Sequence, residues 1–471
     1  MLPDSFDAQM RALLGSDRWL MVRQALTESD SPVSLRLNTQ KVGEGVVPSE
    51  AEGGVPWCRD GWYLSGRPAF TFDPLFHAGA YYVQEASSMF LDRVMRQYVN
   101  EPVRMLDLCA APGGKSTVAR AALPEGSLLV SNEPMRTRAQ ILVENLQKWG
   151  HEDVIVTNNL PRDFLRAGLC FDVILTDVPC SGEGMFRKDE VAIRDWSLQN
   201  VEQCWRLQRE IVDEAWQFLR PGGLLIYSTC TFNVKEDEEN VCWICEKGAE
   251  PLSVQVEPSW QITGSLLPGF DAPVYRFLPG VTRGEGLFMA VLRKPVGTSC
   301  QNIKERGSNN KGQRRNDKSL SSISHFPLSI SHTVPRALGS KILAIPDRWV
   351  DIYDVIARSL NVIHAGVFIG EIKGRNLVPS ASLALARCLQ RDAYAQCELN
   401  YTQAVAYLRR ETITLPADMP RGFVLVSYCG LLLGFVKNLG TRANNLFPAE
   451  WRIRSTHAPA EAPRVLPEFI C

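Results

Sequence analysis

Two cysteines stand just past the ends of apolar runs. Phe171 to Thr176 leads into Asp177-Val-Pro-Cys180, and Leu224 to Tyr227 leads into Ser228-Thr-Cys230. A third segment, Asp107-Leu-Cys-Ala-Ala-Pro-Gly-Gly-Lys-Ser116, overlaps the apolar run Val103 to Leu108 and opens a helical pattern at Ser116. Pro112, Gly113 and Gly114 force a tight loop between the two. Strand, glycine loop and helix is the layout that turns bare backbone N–H groups and a helix N-terminus toward a ligand. The Gly-Gly-Lys-Ser tetrad also ends phosphate loops, but that motif needs a glycine where Cys109 stands, and Pro112 spoils the nest for a triphosphate. A nucleoside cofactor fits better. Glu133, at the end of the run Leu128 to Asn132, is placed to accept both hydroxyls of a ribose. An acid before Pro134 also reads as plain helix-start chemistry, so Glu133 alone leaves both readings open.

One cysteine at a strand end is usually a small core residue. Two, each in a polar turn and both on the sheet edge that carries the glycine loop, point to thiol chemistry. A thiol attacks only as thiolate, and at its free pKa only a few per cent is ionised near neutral pH. Each unit of pKa depression supplies about 1.4 kcal/mol toward the reactive form. Beside a methyl donor, the fitting target is a pyrimidine ring. Carbon 5 of cytosine is not nucleophilic until a thiolate adds at carbon 6. After methyl transfer the carbon 5 proton must leave and the thiol must be expelled. That sequence needs a nucleophile, a helper and an acid to steady the ring, roles that Cys230, Cys180 and Asp177 fit.

The elements that must hold these residues follow from periodicity. Strands and helices alternate from about 76 to 294, which predicts an α/β, mostly parallel sheet with helices on both faces. Val154 to Thr157 reads as the third strand. Pro134 is expected at a helix N1 position, followed by Ile141, Leu142, Asn145 and Trp149 and stopped by Gly150. Cys204, Leu207, Ile211, Ala215 and Phe218 predict one face of a long helix ending at Arg220-Pro-Gly-Gly223. Residues 1–75 read as a small α+β accessory domain, with Phe6, Met10, Leu13 and Leu14 on one helical face. Residues 295–335 lose apolar period and carry Gln313-Arg314-Arg315, as a flexible basic linker does. From 336 to 471 a second globular pattern appears, with a hairpin from Val424 to Val436 and the basic residues Lys437, Arg442, Arg452 and Arg454 behind it.

The whole chain of 471 residues is too long for one core and predicts two to four domains. A net charge of −1 supplies no global basic field, so nucleic-acid binding must come from local patches. No basic segment precedes an apolar one at the N-terminus, and no apolar run is long enough for a bilayer. The 13 cysteines are odd in number and scattered, a pattern of a reducing compartment. A cytoplasmic location is expected. Cys242-Trp-Ile-Cys245 has no second pair, so no metal is expected.

The segments Asp107 to Lys115, Asp177-Val-Pro-Cys-Ser-Gly-Glu-Gly184 and Tyr227-Ser-Thr-Cys-Thr231 closely resemble the signatures of the Sun/Nop family of RNA 5-methylcytosine methyltransferases. Tyr82-Val-Gln-Glu-Ala-Ser-Ser88 resembles that family's entry segment. Gly370-Glu-Ile-Lys-Gly-Arg375, Tyr407-Leu-Arg-Arg-Glu411 and Gly422-Phe-Val-Leu-Val426 look like the tail of the bacterial RsmF-type branch, which modifies 16S ribosomal RNA. The resemblance implies a Rossmann-like methyltransferase core, a PUA-like RNA-binding C-terminal region and S-adenosylmethionine held by Cys109, Ala110, Ala111, Pro112, Gly113, Gly114, Lys115, Glu133 and Asp177. It implies that Cys230 attacks the base and Cys180 assists release. The family usually places an aspartate near the adenine after the third strand. Asn159 stands there, and its oxygen is expected to accept from the adenine amino group. The implied substrate is RNA, single-stranded or flipped at the target, met by a monomer with no membrane partner. Arg187 and Lys188 are candidate phosphate ligands or simply a solvated loop. The same reaction on transfer RNA, or a non-catalytic RNA-binding factor, are the alternatives.

Overall fold

The computed structural model describes residues 2–297, 332–374, 376–455 and 457–467. Gln313 to Arg315 and Arg375 lie outside the described residues. The centre is a nine-stranded sheet made of β1 (Arg104–Asp107), β2 (Leu128–Asn132), β3 (Val154–Thr157), β4 (Phe171–Asp177), β5 (Leu219–Thr229), β6 (Glu250–Pro251), β7 (Tyr275–Phe277), β8 (Leu287–Arg293) and β9 (Val362–Ala365). Its order is β6-β8-β5-β4-β1-β2-β3-β9, with β7 paired to β8. The five strands β5-β4-β1-β2-β3 are mutually parallel, and β8 and β9 close the two sides antiparallel. The strand order reverses between β1 and β4. In an open parallel sheet that gap opens a crevice at the carboxyl ends of the strands.

Continuous apolar runs became these strands because both faces are covered. Met105, Leu129, Val156, Val173 and Ile226 pack into one buried cluster. Their chain neighbours Leu106, Val130, Ile155, Ile174 and Leu225 pack into another on the opposite face, the period of two of a strand. Three helices matter for the site: α1 (Gly114–Ala122), α2 (Arg136–Trp149) and α3 (Leu198–Phe218).

Several expectations shift. Helix α2 starts at Arg136 with Met135 as N-cap, so Pro134 precedes the helix instead of opening it. The reason is that the Glu133 carboxylate accepts the Met135 N–H at 2.9 Å and holds the turn open. Ile141 and Leu207 face outward, while Leu146, Val201, Gln208 and Val212 fill the buried sides of α2 and α3. The long helix stops at Phe218, two residues short of Arg220, and Arg220 to Gly223 are already strand. They begin β5, which bulges against β4 so that Phe171 pairs with Leu219 and Val173 with Leu224.

The flanking regions are less separate than their composition suggests. Strands Ala51–Gly54, Gly61–Leu64, Val33–Leu37 and Tyr81–Val83 form an antiparallel N-terminal sheet, so this unit runs past position 75. C-terminal strands begin at Thr333, three residues before 336, and form two four-stranded sheets. The hairpin Gly422–Tyr428 and Leu431–Asn438 lies where expected. Leu35, Leu37, Phe72 and Leu75 of the N-terminal unit share one apolar cluster with Val405, Tyr407, Val426 and Leu433 of the C-terminal unit. Strand β9 belongs to the C-terminal region by sequence and to the central sheet by pairing.

Candidate active site

Asp107 ends β1 and is fully buried. Ser116 Oγ donates to its Oδ2 at 2.6 Å, and its Oδ1 has no partner. Burial pushes the Asp107 carboxyl up to about 7. The chain then turns through Leu108 to Gly113. Gly113 has φ 114°, and a Cβ there would stand 3.2 Å from Leu142 Cδ1, so only glycine fits both the backbone and the space. Helix α1 begins at Gly114 with the unpaired first N–H groups of any helix start. Helix α2 grips the loop from outside: Asn145 Nδ2 donates to Pro112 O at 2.8 Å and Arg138 Nη2 to Ala111 O at 2.9 Å. On the other side Arg36, buried in the N-terminal sheet, donates to Thr117 Oγ1 of α1 at 2.6 Å. The Cys109 thiol is pushed up by burial and by the neighbouring carboxylates, which leaves it an inert wall residue.

Glu133 follows β2 and is nearly buried. Its Oε1 takes the Met135 N–H, while its Oε2 has only Arg138 Nη1 at 3.8 Å. An orphan buried oxygen on Asp107, a lightly held oxygen on Glu133 and an open helix start therefore lie at the carboxyl ends of the adjacent strands β1 and β2. Those are the acceptors and donors that an ammonium group, ribose hydroxyls and a carboxylate require, so the residues present fit a nucleoside–amino acid cofactor.

Lys115 Nζ lies 2.9 Å from Asp177 Oδ2, and Ser228 Oγ donates to Asp177 Oδ1 at 3.0 Å. Burial pulls the Lys115 ammonium down, but Asp177, Cys230 and Asp107 together more than offset it. The Sγ atoms of Cys180 and Cys230 stand 3.2 Å apart, and the Cys230 N–H approaches the Cys180 sulfur at 3.3 Å. The hydrogen bond to Cys230 and burial together push the Cys180 thiol well up. Either sulfur can be the donor in this contact.

What fixes this pair is a reciprocal clamp between the two cysteine loops. Glu183, three residues after Cys180, accepts the N–H groups of Phe232 and Asn233 at 2.7 and 3.1 Å. Glu236, six residues after Cys230, accepts the Ser181 N–H at 3.0 Å. Asn233 Nδ2 lies within 3.0 Å of both carboxylates, and Trp196 Nε1 completes Glu183. Beneath Cys230, Thr229 Oγ1 donates to Asp237 Oδ1 at 2.6 Å, and Asp237 and Glu238 are both paired to the buried Arg276. The Gly184 N–H donates to Cys230 O at 2.7 Å, and a Cβ on Gly184 would stand 2.7 Å from that same oxygen.

The structure therefore brings Cys180, Cys230, Asp177 and Lys115 into one cluster and lays the 109–115 loop and Glu133 along the adjoining crevice. Sequence reasoning missed the clamp. Glu183 sits inside a quoted motif, but its role depends on a partner loop about 50 residues away. Arg187 is corrected: it is buried and paired to Glu285 at 3.0 Å, with Lys188 3.4 Å from the same carboxylate, so Arg187 holds the loop and does not face phosphates. Asn159 is held on both sides. Its side-chain oxygen accepts the Asn361 N–H at 2.9 Å, and its backbone is held by Asn132.

A profile described as 16S rRNA methyltransferase RsmB/F matches residues 95–293, the N-terminal domain of 16S rRNA methyltransferase RsmF matches 2–86, and the methyltransferase RsmF PUA domain matches 395–453. Ribosomal RNA small subunit methyltransferase F of Erwinia tasmaniensis is 30% identical, with 95% of this chain and 96% of that protein covered. The protein of the same name from Aliivibrio salmonicida is 30% identical, covering 95% and 97%. Among solved structures, a methyltransferase homolog from Pyrococcus horikoshii superposes with TM-score 0.53 and 25% identity over 62% of this chain and 95% of its own.

Proposed function

The chain belongs to the ribosomal RNA small subunit methyltransferase F family, and from that membership we propose how its own residues transfer a methyl group to carbon 5 of a cytosine in 16S ribosomal RNA. It is an S-adenosylmethionine-dependent RNA methyltransferase. The cofactor, when bound, supplies an electrophilic methyl group. Cys109 to Lys115 hold its amino-acid end against the start of α1, Glu133 takes the ribose hydroxyls, and Asn159 meets the adenine.

Cys230 attacks carbon 6 of the target ring as thiolate, and carbon 5 becomes the nucleophile that takes the methyl group. Asp177, held between Lys115 and Ser228, accepts from the exocyclic amino group and steadies the ring. The Cys180 thiol gives its proton to water, and the thiolate so formed removes the carbon 5 proton; the ring electrons return, the bond from carbon 6 to the Cys230 sulfur breaks and the product leaves. A flipped or single-stranded cytosine costs a few kcal/mol to present, which contacts from the C-terminal region offset. Arg442, Arg452 and Arg454 are exposed there. The chain acts as a monomer in the cytoplasm. Among the described residues no helix is long and apolar enough to cross a membrane.

The single observation that carries this reading is the 3.2 Å approach of the Cys180 and Cys230 sulfurs beside the Lys115–Asp177 pair. Bisulfite sequencing of ribosomal and transfer RNA from a deletion strain tests it. Loss of one or a few 5-methylcytosines from 16S RNA is expected; loss only from transfer RNA moves the substrate, and no loss anywhere overturns the reading.

A further inference from the structure

Strand β3 is gripped at both ends by the C-terminal region. Before it, Glu152 pairs with Arg387 at 2.8 Å, and Asp153 takes Arg348 and, at 3.0 Å, Trp349 Nε1. After it, the Asn158 N–H donates to Asn361 O at 3.0 Å, and the Asn361 N–H donates to Asn159 Oδ1 at 2.9 Å. Between them β9 pairs with β3 from Val362 opposite Thr157 to Ala365 opposite Ile155. Asn158 Nδ2 meanwhile donates to the carbonyls of Glu133 and Pro134 at 2.8 Å, which ties the same turn to the ribose-binding acid.

A backbone N–H can only donate. The Asn159 atom that meets Asn361 is therefore the oxygen, and the orientation of the carboxamide is fixed by chemistry. Its oxygen faces the seam with β9, on the side away from β2 and β1. Among the described residues none accepts from its NH2 group, which is the edge left for a ligand.

We propose that the C-terminal strand β9 and Asn361 are a built-in part of the cofactor site: they lock Asn159 so that its NH2 donates to a ring nitrogen of the adenine. The base is read by a donor, where an aspartate could only accept. The region that carries the RNA-binding fold thus also shapes the far wall of the cofactor crevice. This rests on the cofactor reading given above.

The test is calorimetric binding of S-adenosylhomocysteine to the full chain, alongside RNA binding by filter retention. Asn159→Asp keeps an oxygen for the Asn361 N–H but replaces the donor by a second, charged acceptor; at least tenfold weaker S-adenosylhomocysteine binding is expected, with RNA affinity within twofold of wild type. Asn361→Pro removes the locking N–H at a place where Leu360 is already extended, the conformation that a following proline demands. It is expected to weaken S-adenosylhomocysteine at least fivefold while RNA affinity holds. Asn159→Asp binding as tightly as wild type, or more tightly, overturns the proposal, as does an unchanged Asn361→Pro. Failure of the wild-type chain itself to bind S-adenosylhomocysteine overturns the cofactor reading and this inference with it.

Discussion

The sulfur of Cys180 lies 3.2 Å from that of Cys230, although 50 residues separate them and each follows a different strand of the central sheet. Two thiols in contact can address two adjacent carbons of one ring. Burial and the contact with Cys230 push the Cys180 thiol up, which favours Cys230 as the attacking partner. Cys230→Ala is therefore expected to abolish methylation and any covalent RNA adduct. Cys180→Ala should still form the adduct but fail to release it, leaving a protein–RNA band that survives denaturing electrophoresis. The absence of that band would remove Cys180 from its helper role.

The carboxylate of Glu183 holds the Cys230 loop through two backbone N–H groups. Glu183→Gln turns an NH2 group onto donors it cannot accept from. Hydrogen bonds to a buried charge contribute about 1.5–3 kcal/mol each, so a measurable fall in melting temperature is expected. A tenfold or greater loss of kcat should accompany it, with S-adenosylhomocysteine affinity within twofold of wild type. An unchanged kcat would mean the clamp does not position the thiols.

Gly184 has no room for a methyl group: its Cβ would meet Cys230 O at 2.7 Å and Gly286 Cα at 2.9 Å. Gly184→Ala should displace the Cys230 turn and lower kcat at least tenfold while the circular dichroism spectrum is preserved. The neighbouring Gly182 has open space around its Cβ position but φ 76°. Gly182→Ala should cost about 1 kcal/mol of stability and leave kcat within threefold.

Asp107 gives the protein a pH signature. Burial raises its folded-state pKa to about 7, against about 4 in an unfolded chain. Between those values the folded state holds more protons than the unfolded one, so this group makes stability fall as pH rises from about 4 to about 7, and it is flat beyond. Asp107→Asn should remove that slope from a plot of melting temperature against pH. A cationic ligand in the crevice favours the ionised carboxylate, so binding S-adenosylmethionine near pH 6.5 should release protons. Calorimetry in buffers of different ionisation enthalpy reads this directly, and buffer-independent heats would count against it.

Deleting residues 333–471 is expected to do more than weaken RNA binding. It removes β9 from the central sheet and uncovers Leu35, Leu37, Phe72 and Leu75, which share a buried cluster with the deleted part. The truncated chain should aggregate or melt well below the full chain. A soluble truncation with native cofactor affinity would contradict the shared core.

The central strands, the glycine loop and the two cysteine turns are legible in the residues alone. A strand covered on both faces must be continuously apolar, and a loop that bares its backbone must carry glycine. Both leave local marks, visible in Leu128 to Asn132 and in Pro112 to Lys115. Tertiary structure alone decided the partners. That Arg187 is spent on Glu285, that Glu183 holds the loop of Cys230, and that Asn361 turns the Asn159 carboxamide are contacts between residues from 49 to 202 positions apart. No period or spacing records such a contact, because a side chain's hydrogen-bonding capacity is fixed by its type, while what fills that capacity is fixed only by how the chain folds back on itself.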